Sequence, residues 1–261
     1  MPTHALRPHP VHTRPVHTRP VLRDDDLSAA FDHAASTYDL LVGAHPGYHS
    51  QLRRSARRLG LPSLPPGSRL LDLGCGTGAS TAALLASGGQ RCRITAADAS
   101  AGMLERAATK RWPANVTFVH TPADRVGDVA ADGPFDAVFA AYLFRNVTDT
   151  DGALAAVLSA MAPGGRIAVH EYTLSGSPVH RAAWSAVCRG VVMPLGRATG
   201  NAALYAHLWR SVVAFDTAPR FAERMRRAGF ADVRALPLAG WQGGITHTFV
   251  ARAPRRARPA A

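Results

Sequence analysis

Residues Arg69 to Ser80 read RLLDLGCGTGAS: a short apolar run, a turn with glycines at 74, 76 and 78, and the start of an alanine-rich segment. Such an order spells a buried strand passing through a tight loop into a helix, the opening unit of an α/β sheet. Gly74, Gly76 and Gly78 can take backbone conformations closed to other residues and leave no side chain between the main chain and a ligand. The phosphate-binding form of this loop is G-x-G-x-x-G, but position 79 is alanine and Asp72 stands two residues before the first glycine. A carboxylate there suits a cationic ligand better than a pyrophosphate. The loop therefore reads as the cradle of a nucleotide-type cofactor that carries positive charge, and an NAD-dependent dehydrogenase is disfavoured.

A second acid supports this. Arg93 to Ala97 (RITAA) reads as a strand closed by Asp98, at the strand tip where doubly wound sheets bind ligands. Asp98 is the candidate for the ribose hydroxyls; the competing reading is that Asp98 and Ser100 only cap a helix from Ala101 to Lys110. Further strands are expected at Val116 to His120, Phe135 to Ala140, Arg166 to Tyr172, Val233 to Leu238 and Ile245 to Ala251, alternating with helices as in a mostly parallel sheet. A helix from Ala153 to Met161 is expected to be capped by Asp151 and stopped by Pro163-Gly164-Gly165. Residues Ser177 to Phe215, before the last two strands, form an insert rich in tryptophan, tyrosine and glycine, placed to cover a substrate.

The chain has 261 residues, enough for one domain, here expected over residues 24–251. Residues 1–23 contain the repeat PVHTR twice, at Pro10 to Arg14 and Pro15 to Arg19, without apolar periodicity, and read as a disordered basic arm. Residues 252–261 read as a disordered basic tail. The formal charge of +12 is concentrated in these ends, which together hold eight arginines and no acid, and the body carries 22 basic against 18 acidic residues. With one lysine, Lys110, against 29 arginines, the charge reads as compositional bias more than as a specific nucleic-acid footprint. Cys75, Cys92 and Cys188 have no metal-ligand spacing, so no metal is expected. There is no apolar leader and no apolar run of about 18 residues. A cytoplasmic protein is expected, and the basic ends are compatible with peripheral contact at the inner face of a membrane.

The glycine loop resembles motif I of the class I S-adenosylmethionine (SAM) methyltransferases, whose cofactor carries a sulfonium and an ammonium group. Other segments are similar to the ubiquinone/menaquinone biosynthesis C-methyltransferase family: FDHAASTYD (Phe31 to Asp39), LDLGCGTG (Leu71 to Gly78), NVTFV (Asn115 to Val119), FRNVTD (Phe144 to Asp149), PGGRIAVHEY (Pro163 to Tyr172), AGF (Ala228 to Phe230) and GGI (Gly243 to Ile245). The resemblance implies a Rossmann-like class I methyltransferase fold, with a seven-stranded, mostly parallel sheet, helices on both faces, an amino-terminal helical lid and a helical insert. It implies SAM as cofactor and methylation of a quinol ring. Tyr38 would belong to a lid over the methionine end, while Asp72, Gly74, Cys75, Gly76, Gly78, Asp98, Ala99, Met103, Ala123, Asp124 and Ala141 would surround the cofactor. Arg145 is similar to a family arginine beside the substrate; physically it would lower a phenol pKa by stabilising the phenolate. Asn146 and His170 complete the catalytic candidates, and Tyr142, Phe144, Tyr205, His207, Trp209 and Trp241 those for an aromatic or quinonoid acceptor. A homodimer is compatible with this reading.

Departures from the family bear on the substrate. After Val119 the family's glycine-aspartate-alanine-glutamate reads Thr121-Pro122-Ala123-Asp124, so Pro122 replaces the acid for the adenine amino group, and Asp124 is the substitute. His207 replaces a tyrosine, and a family histidine is displaced to His247. A C- or O-methyltransferase of another phenolic metabolite is the alternative. A SAM-binding protein without transfer activity is opposed by the retained Asp72, Asp98 and Arg145. A nucleic-acid methyltransferase would bind with steep salt dependence, and no N-P-P-Y motif is present.

Overall fold

The computed structural model describes residues 22, 24–44 and 47–255; most of the PVHTR arm and the last six residues lie outside them. The apolar run before the glycine loop forms β1 (Arg69–Leu73), whose residues 70 to 73 are all buried, as a strand covered on both faces requires. It lies inside a seven-stranded sheet with β2 (Arg93–Asp98), β3 (Val116–His120), β4 (Phe135–Ala141), β5 (Met161–Tyr172), β6 (Ala231–Pro237) and β7 (Thr246–Arg252), in the order β3-β2-β1-β4-β5-β7-β6. The pairs among β1 to β5 are parallel, whereas β7 runs antiparallel to both β5 and β6. Strand order reverses between β1 and β4, so their carboxyl ends diverge and open the crevice in which such sheets bind ligands.

One face of the sheet is covered by α5 (Thr150–Ser159) and α9 (Ala218–Arg227), around Phe135, Phe144, Phe221 and Phe249. The other face is covered by α2 (Tyr48–Arg57), α3 (Ala79–Leu85) and the insert. The insert comprises α6 (Pro178–Val187), a π turn (Cys188–Val192), α7 (Met193–Ala198) and α8 (Ala202–Ala214). Helix α1 (Asp24–Ala44) lies across α4 (Ala101–Ala108), and its inner side packs Leu27 and Ala34 against Leu204.

Three expectations need correction. The cap of α5 is Asp149, whose side chain accepts from Gly152 N; Asp151 instead pairs with Arg224 at 2.7 Å. Helix α5 stops at Ser159, before the Pro163-Gly164-Gly165 turn, which lies inside β5 because Met161 already pairs with Phe135. The ordered body also extends beyond both expected bounds. Leu22 packs against the Leu27 cluster, Arg252 pairs with Arg166 in the sheet, and Ala253 N donates to Gly165 O at 2.9 Å.

Gly165 sits where the β4–β5 register shifts, and a Cβ there would lie 2.8 Å from Ala162 O and 3.2 Å from Phe135 O. Both neighbours are main chain and cannot turn aside. Gly165→Ala is expected to cost about 1–3 kcal/mol, as overpacking typically does, read as a fall in Tm of about 2–4 °C per kcal/mol for a domain of this size. An unchanged Tm would show that the bulge yields freely.

Candidate active site

A cavity of about 580 Å³ opens at the carboxyl ends of β1, β2 and β4, within the size range of small-molecule sites. Its floor is the glycine loop, tied to β2 by Gly74 N and Cys75 N, which donate to Ala97 O at 2.8 and 3.0 Å. Gly74, Cys75 and Gly76 line it. Gly76 has φ 54° and a Cβ built on it meets nothing within 4 Å, so its open side is the cradle. Gly78 does something else: it begins α3 with φ 92°, and the Trp112 ring occupies the space of its missing side chain. It shapes the loop and does not line the cavity.

Asp98 also lines the cavity and takes part in the turn that leads into α4. Its Oδ2 accepts from Gly76 N at 2.7 Å and its Oδ1 from Ser100 N at 2.9 Å, while Ser100 Oγ caps α4 through Met103 N at 3.1 Å. Burial pushes the Asp98 carboxyl above its usual range, against the pull of these backbone donors. Asp72 stands behind the loop, fully buried and not on the cavity wall. Its Oδ2 accepts from Ser80 Oγ at 2.8 Å and Thr81 Oγ1 at 2.6 Å, and its Oδ1 has no partner among the described residues. Burial raises its pKa to about 7, the two hydroxyls oppose that, and Asp98 adds to it. A buried carboxylate with an unmatched oxygen behind a main-chain cradle is what a cationic cofactor would offset, so the residues fit SAM. Ala99, Met103, Ala123, Asp124 and Ala141 line the wall around the loop, with Pro122 beside Asp124.

Helix α1 closes the cavity through two aspartates of FDHAASTYD that the reading of that segment passed over. Asp32 Oδ1 accepts from Ser100 Oγ at 2.5 Å and Gly102 N at 2.9 Å. Asp39 accepts from Thr77 Oγ1 at 2.6 Å and pairs with Lys110 and Arg106. Burial works against its ionisation, but Thr77, Lys110 and Arg106 hold the carboxyl below its usual range. Their spacing of seven puts both on one side of α1, a signal present in the sequence. Phe31 and Tyr38 face the cavity between them.

The opposite wall is built on Tyr142, which follows β4 with φ 57°, a left-handed conformation rare for a bulky residue and worth about 1–3 kcal/mol of strain. Its carbonyl accepts from Arg145 Nη1 at 2.7 Å and Asn146 Nδ2 at 3.1 Å, and its N–H donates to His170 O at 2.7 Å. Arg145 Nη1 also bonds Glu171 Oε1 at 2.7 Å, with side-chain exposures of 7% and 0%. Burial alone would lower the arginine's pKa, but Glu171 outweighs it and keeps the guanidinium charged. Burial pushes the Glu171 carboxyl up, opposed by Arg145 and by the N–H groups of Tyr172 and Arg145. The guanidinium carbon lies 5.7 and 5.6 Å from the Tyr142 and Tyr172 ring centroids. Tyr142 in turn stacks between Tyr48 at 5.7 Å and Tyr172 at 4.7 Å. Burial raises the pKa of Tyr38, Tyr48, Tyr142 and Tyr172, so they remain neutral phenols. Arg145 Nε is buried and finds no acceptor among the described residues. The wall therefore presents a fixed cation with an unused donor among tyrosine rings.

Several expected site residues stand elsewhere. His170 is fully buried, with Nε2 against Tyr142 OH at 3.1 Å and Nδ1 against Thr248 Oγ1 at 3.2 Å. Burial lowers its pKa to about 3, so it braces Tyr142 as a neutral ring and is not a base facing the cavity. Phe144 is core, packed on Phe221. His207, its pKa lowered by burial to about 4, donates from Nε2 to Asn146 Oδ1 at 2.9 Å. Trp209 stays within the insert, bonded to Ser185 and lying under Arg189, and Tyr205 packs against Gly196. His247 bonds Thr173 Oγ1 at 3.0 Å. The Trp241 side chain lies outside the described residues.

The model of the ubiE/COQ5 methyltransferase family matches residues 20–251. The demethylmenaquinone methyltransferase of Clavibacter sepedonicus is 35% identical, covering 89% of this chain and 93% of that protein. The ubiquinone/menaquinone biosynthesis C-methyltransferase of Rhizobium etli strain CIAT 652 is 30% identical, covering 84% of this chain and 85% of that protein. Among solved structures, a SAM-dependent methyltransferase from Thermotoga maritima matches with TM-score 0.59 at 17% identity, over 87% of this chain and 99% of that one. Phosphoethanolamine N-methyltransferase 2 of Haemonchus contortus in complex with SAM matches with TM-score 0.59 at 17% identity, over 86% and 57%. These likenesses show the class I methyltransferase fold. A match spanning sheet, glycine loop and lid makes this chain a member of the ubiE/COQ5 methyltransferase family and a SAM-dependent methyltransferase.

Proposed function

We propose that this enzyme transfers a methyl group to a ring carbon of a quinol of the demethylmenaquinol type. The observation that carries this is the buried Arg145, charged, aromatic-flanked and with an unused Nε donor, on the wall of the same cavity as the glycine loop. The names of the relatives support the acceptor class.

In this reading Gly74, Cys75 and Gly76 hold the cofactor with main chain, Asp98 takes the ribose, and Asp124 stands where the adenine-binding acid is replaced. Asp72 stabilises the cationic end through the thickness of the loop, and Tyr38 with Phe31 excludes water from above. SAM, when bound, supplies the electrophilic methyl group. Because the displacement needs alignment and dryness more than a reacting side chain, the chain's main chemical task is to tune the acceptor. Arg145 Nε donates to the acceptor's oxygen and lowers its pKa, so the phenol proton is released to solvent and electron density rises on the adjacent ring carbon. That carbon takes the methyl group as the carbon–sulfur bond breaks to leave S-adenosylhomocysteine, and its own proton is then lost to solvent to restore the ring. Glu171 holds the guanidinium in place, and Asn146, held by His207, fixes the Tyr142 carbonyl on which Arg145 rests. The replacement His207, bonded to Asn146 beside Arg145, favours a second reading, another phenolic acceptor methylated at carbon or oxygen.

Labelled SAM offered with demethylmenaquinol and with small phenols decides between the readings. Transfer to the quinol carbon is expected, with losses of at least 100-fold in kcat/KM for Arg145→Ala and Asp98→Ala, about 2.7 kcal/mol each at 1.36 kcal/mol per decade. Transfer only to small phenols, or undiminished transfer by Arg145→Ala, contradicts the proposal.

Asp72 gives a pH signature. Its native pKa of about 7 lies above the usual carboxylate value, so the ionised fraction grows as pH rises from 6 to 8. A carboxylate favours a cationic ligand, so SAM affinity should rise severalfold over that range, and the rise should vanish in Asp72→Asn. Calorimetric titration at three pH values checks this; the same slope in both proteins would place Asp72 outside cofactor recognition.

A further inference from the structure

We infer that the outer face of the insert, from Val179 to Leu195, is a docking surface for an anionic lipid bilayer. Among the described residues, the exposed large hydrophobic side chains are Val179 (70%), Val187 (36%), Val191 (63%) and Leu195 (41%), and all four lie on α6, the π turn and α7. Their partners on the inner side, Trp184, Cys188 and Gly196, are buried. Val187, Val191 and Leu195 are four apart, a spacing that drifts around a regular α-helix but is drawn back into line by a π turn, which holds more residues per turn. The turn therefore keeps the apolar stripe on one face. From Thr173 to Phe215 the chain contains no aspartate or glutamate and contains Arg181, Arg189, Arg197 and Arg210.

Apolar side chains flanked by arginines suit the boundary between acyl chains and anionic headgroups. A second copy of the chain is a poorer occupant. A two-fold contact would set this acid-free, arginine-bearing face against its own image. The inference is independent of which acceptor is methylated, and its test uses vesicles without quinol.

Full-length protein is mixed with vesicles of phosphatidylcholine alone or with equal phosphatidylglycerol, and bound protein is measured by flotation. Binding to the anionic vesicles at least tenfold above the neutral ones is expected, with at least a tenfold loss in Val191→Asp/Leu195→Asp. Val179→Asp, at the most exposed of the four positions, should weaken binding in the same direction. Melting temperature and SAM affinity show that the variants are folded. Three results overturn the inference: no binding by the wild type, undiminished binding by the folded variants, or binding removed by deletion of residues 1–21 and indifferent to the insert substitutions. A concentration-dependent dimer abolished by the substitutions, without vesicle binding, would assign the face to a second copy and overturn it equally.

Discussion

The buried ion pair between Arg145 and Glu171 is the constraint on which the tyrosine-lined wall of the cavity, the proposed acceptor side, depends. Glu171 sits next to last in β5 with no solvent exposure, and Arg145 follows β4 three residues past a left-handed Tyr142. Two charges in that setting are costly unless they satisfy each other and their remaining hydrogen bonds. Glu171 meets the condition with Arg145 and two backbone N–H groups, whereas Arg145 meets it only in part. Nη1 serves the carboxylate and the Tyr142 carbonyl while Nε is left over. The strand-end carboxylate thus fixes the arginine, the arginine fixes the strained tyrosine, and the tyrosine stacks the ring layer facing the cofactor loop. The contacts that support this wall leave one buried donor unfilled, and the proposed chemistry rests on that donor.

The two halves of the cavity use opposite means. On the glycine-loop side the chain withdraws side chains: Gly76 leaves an open main-chain cradle and Asp72 lies buried behind it. On the acceptor side it crowds them, with Tyr38, Tyr48, Tyr142 and Tyr172 around one cation. The lid joins the halves, because Asp32 and Asp39 anchor α1 on α4 and on the glycine loop.

Much of the fold could be read from the sequence because its signals are local. The limits of β1 and β3 agree with the expected residues and the other strands shift by a few positions at their ends, since apolar runs and the turns that bound them are contiguous. Errors arose where tertiary pairing chose between equivalent residues. Asp149 and Asp151 are equally good caps by type, and only Arg224, far along the chain, draws Asp151 away. His170 and Phe144 adjoin the site in sequence but point into the core, an orientation that strand alternation and a one-turn helix leave undetermined from residue type. The motif singles out Arg145 as a candidate but gives no sign of Glu171 as its fixed partner, because 26 residues and a neighbouring strand separate them. The aromatic residues of the insert have the composition of a pocket, yet Trp209 and Tyr205 are spent on packing the insert itself.

The central claim is that Arg145 stabilises a phenolate in this cavity. Its most direct measurement is the ionisation of a bound chromophoric phenol, followed by ultraviolet titration in the presence of S-adenosylhomocysteine, for the wild type and Arg145→Met. The account predicts a pKa at least one unit below that of the free phenol in the wild type, about 1.4 kcal/mol in favour of the anion, and no such lowering in the variant. An unshifted or raised pKa in the wild type, or the same lowering in both proteins, would contradict it.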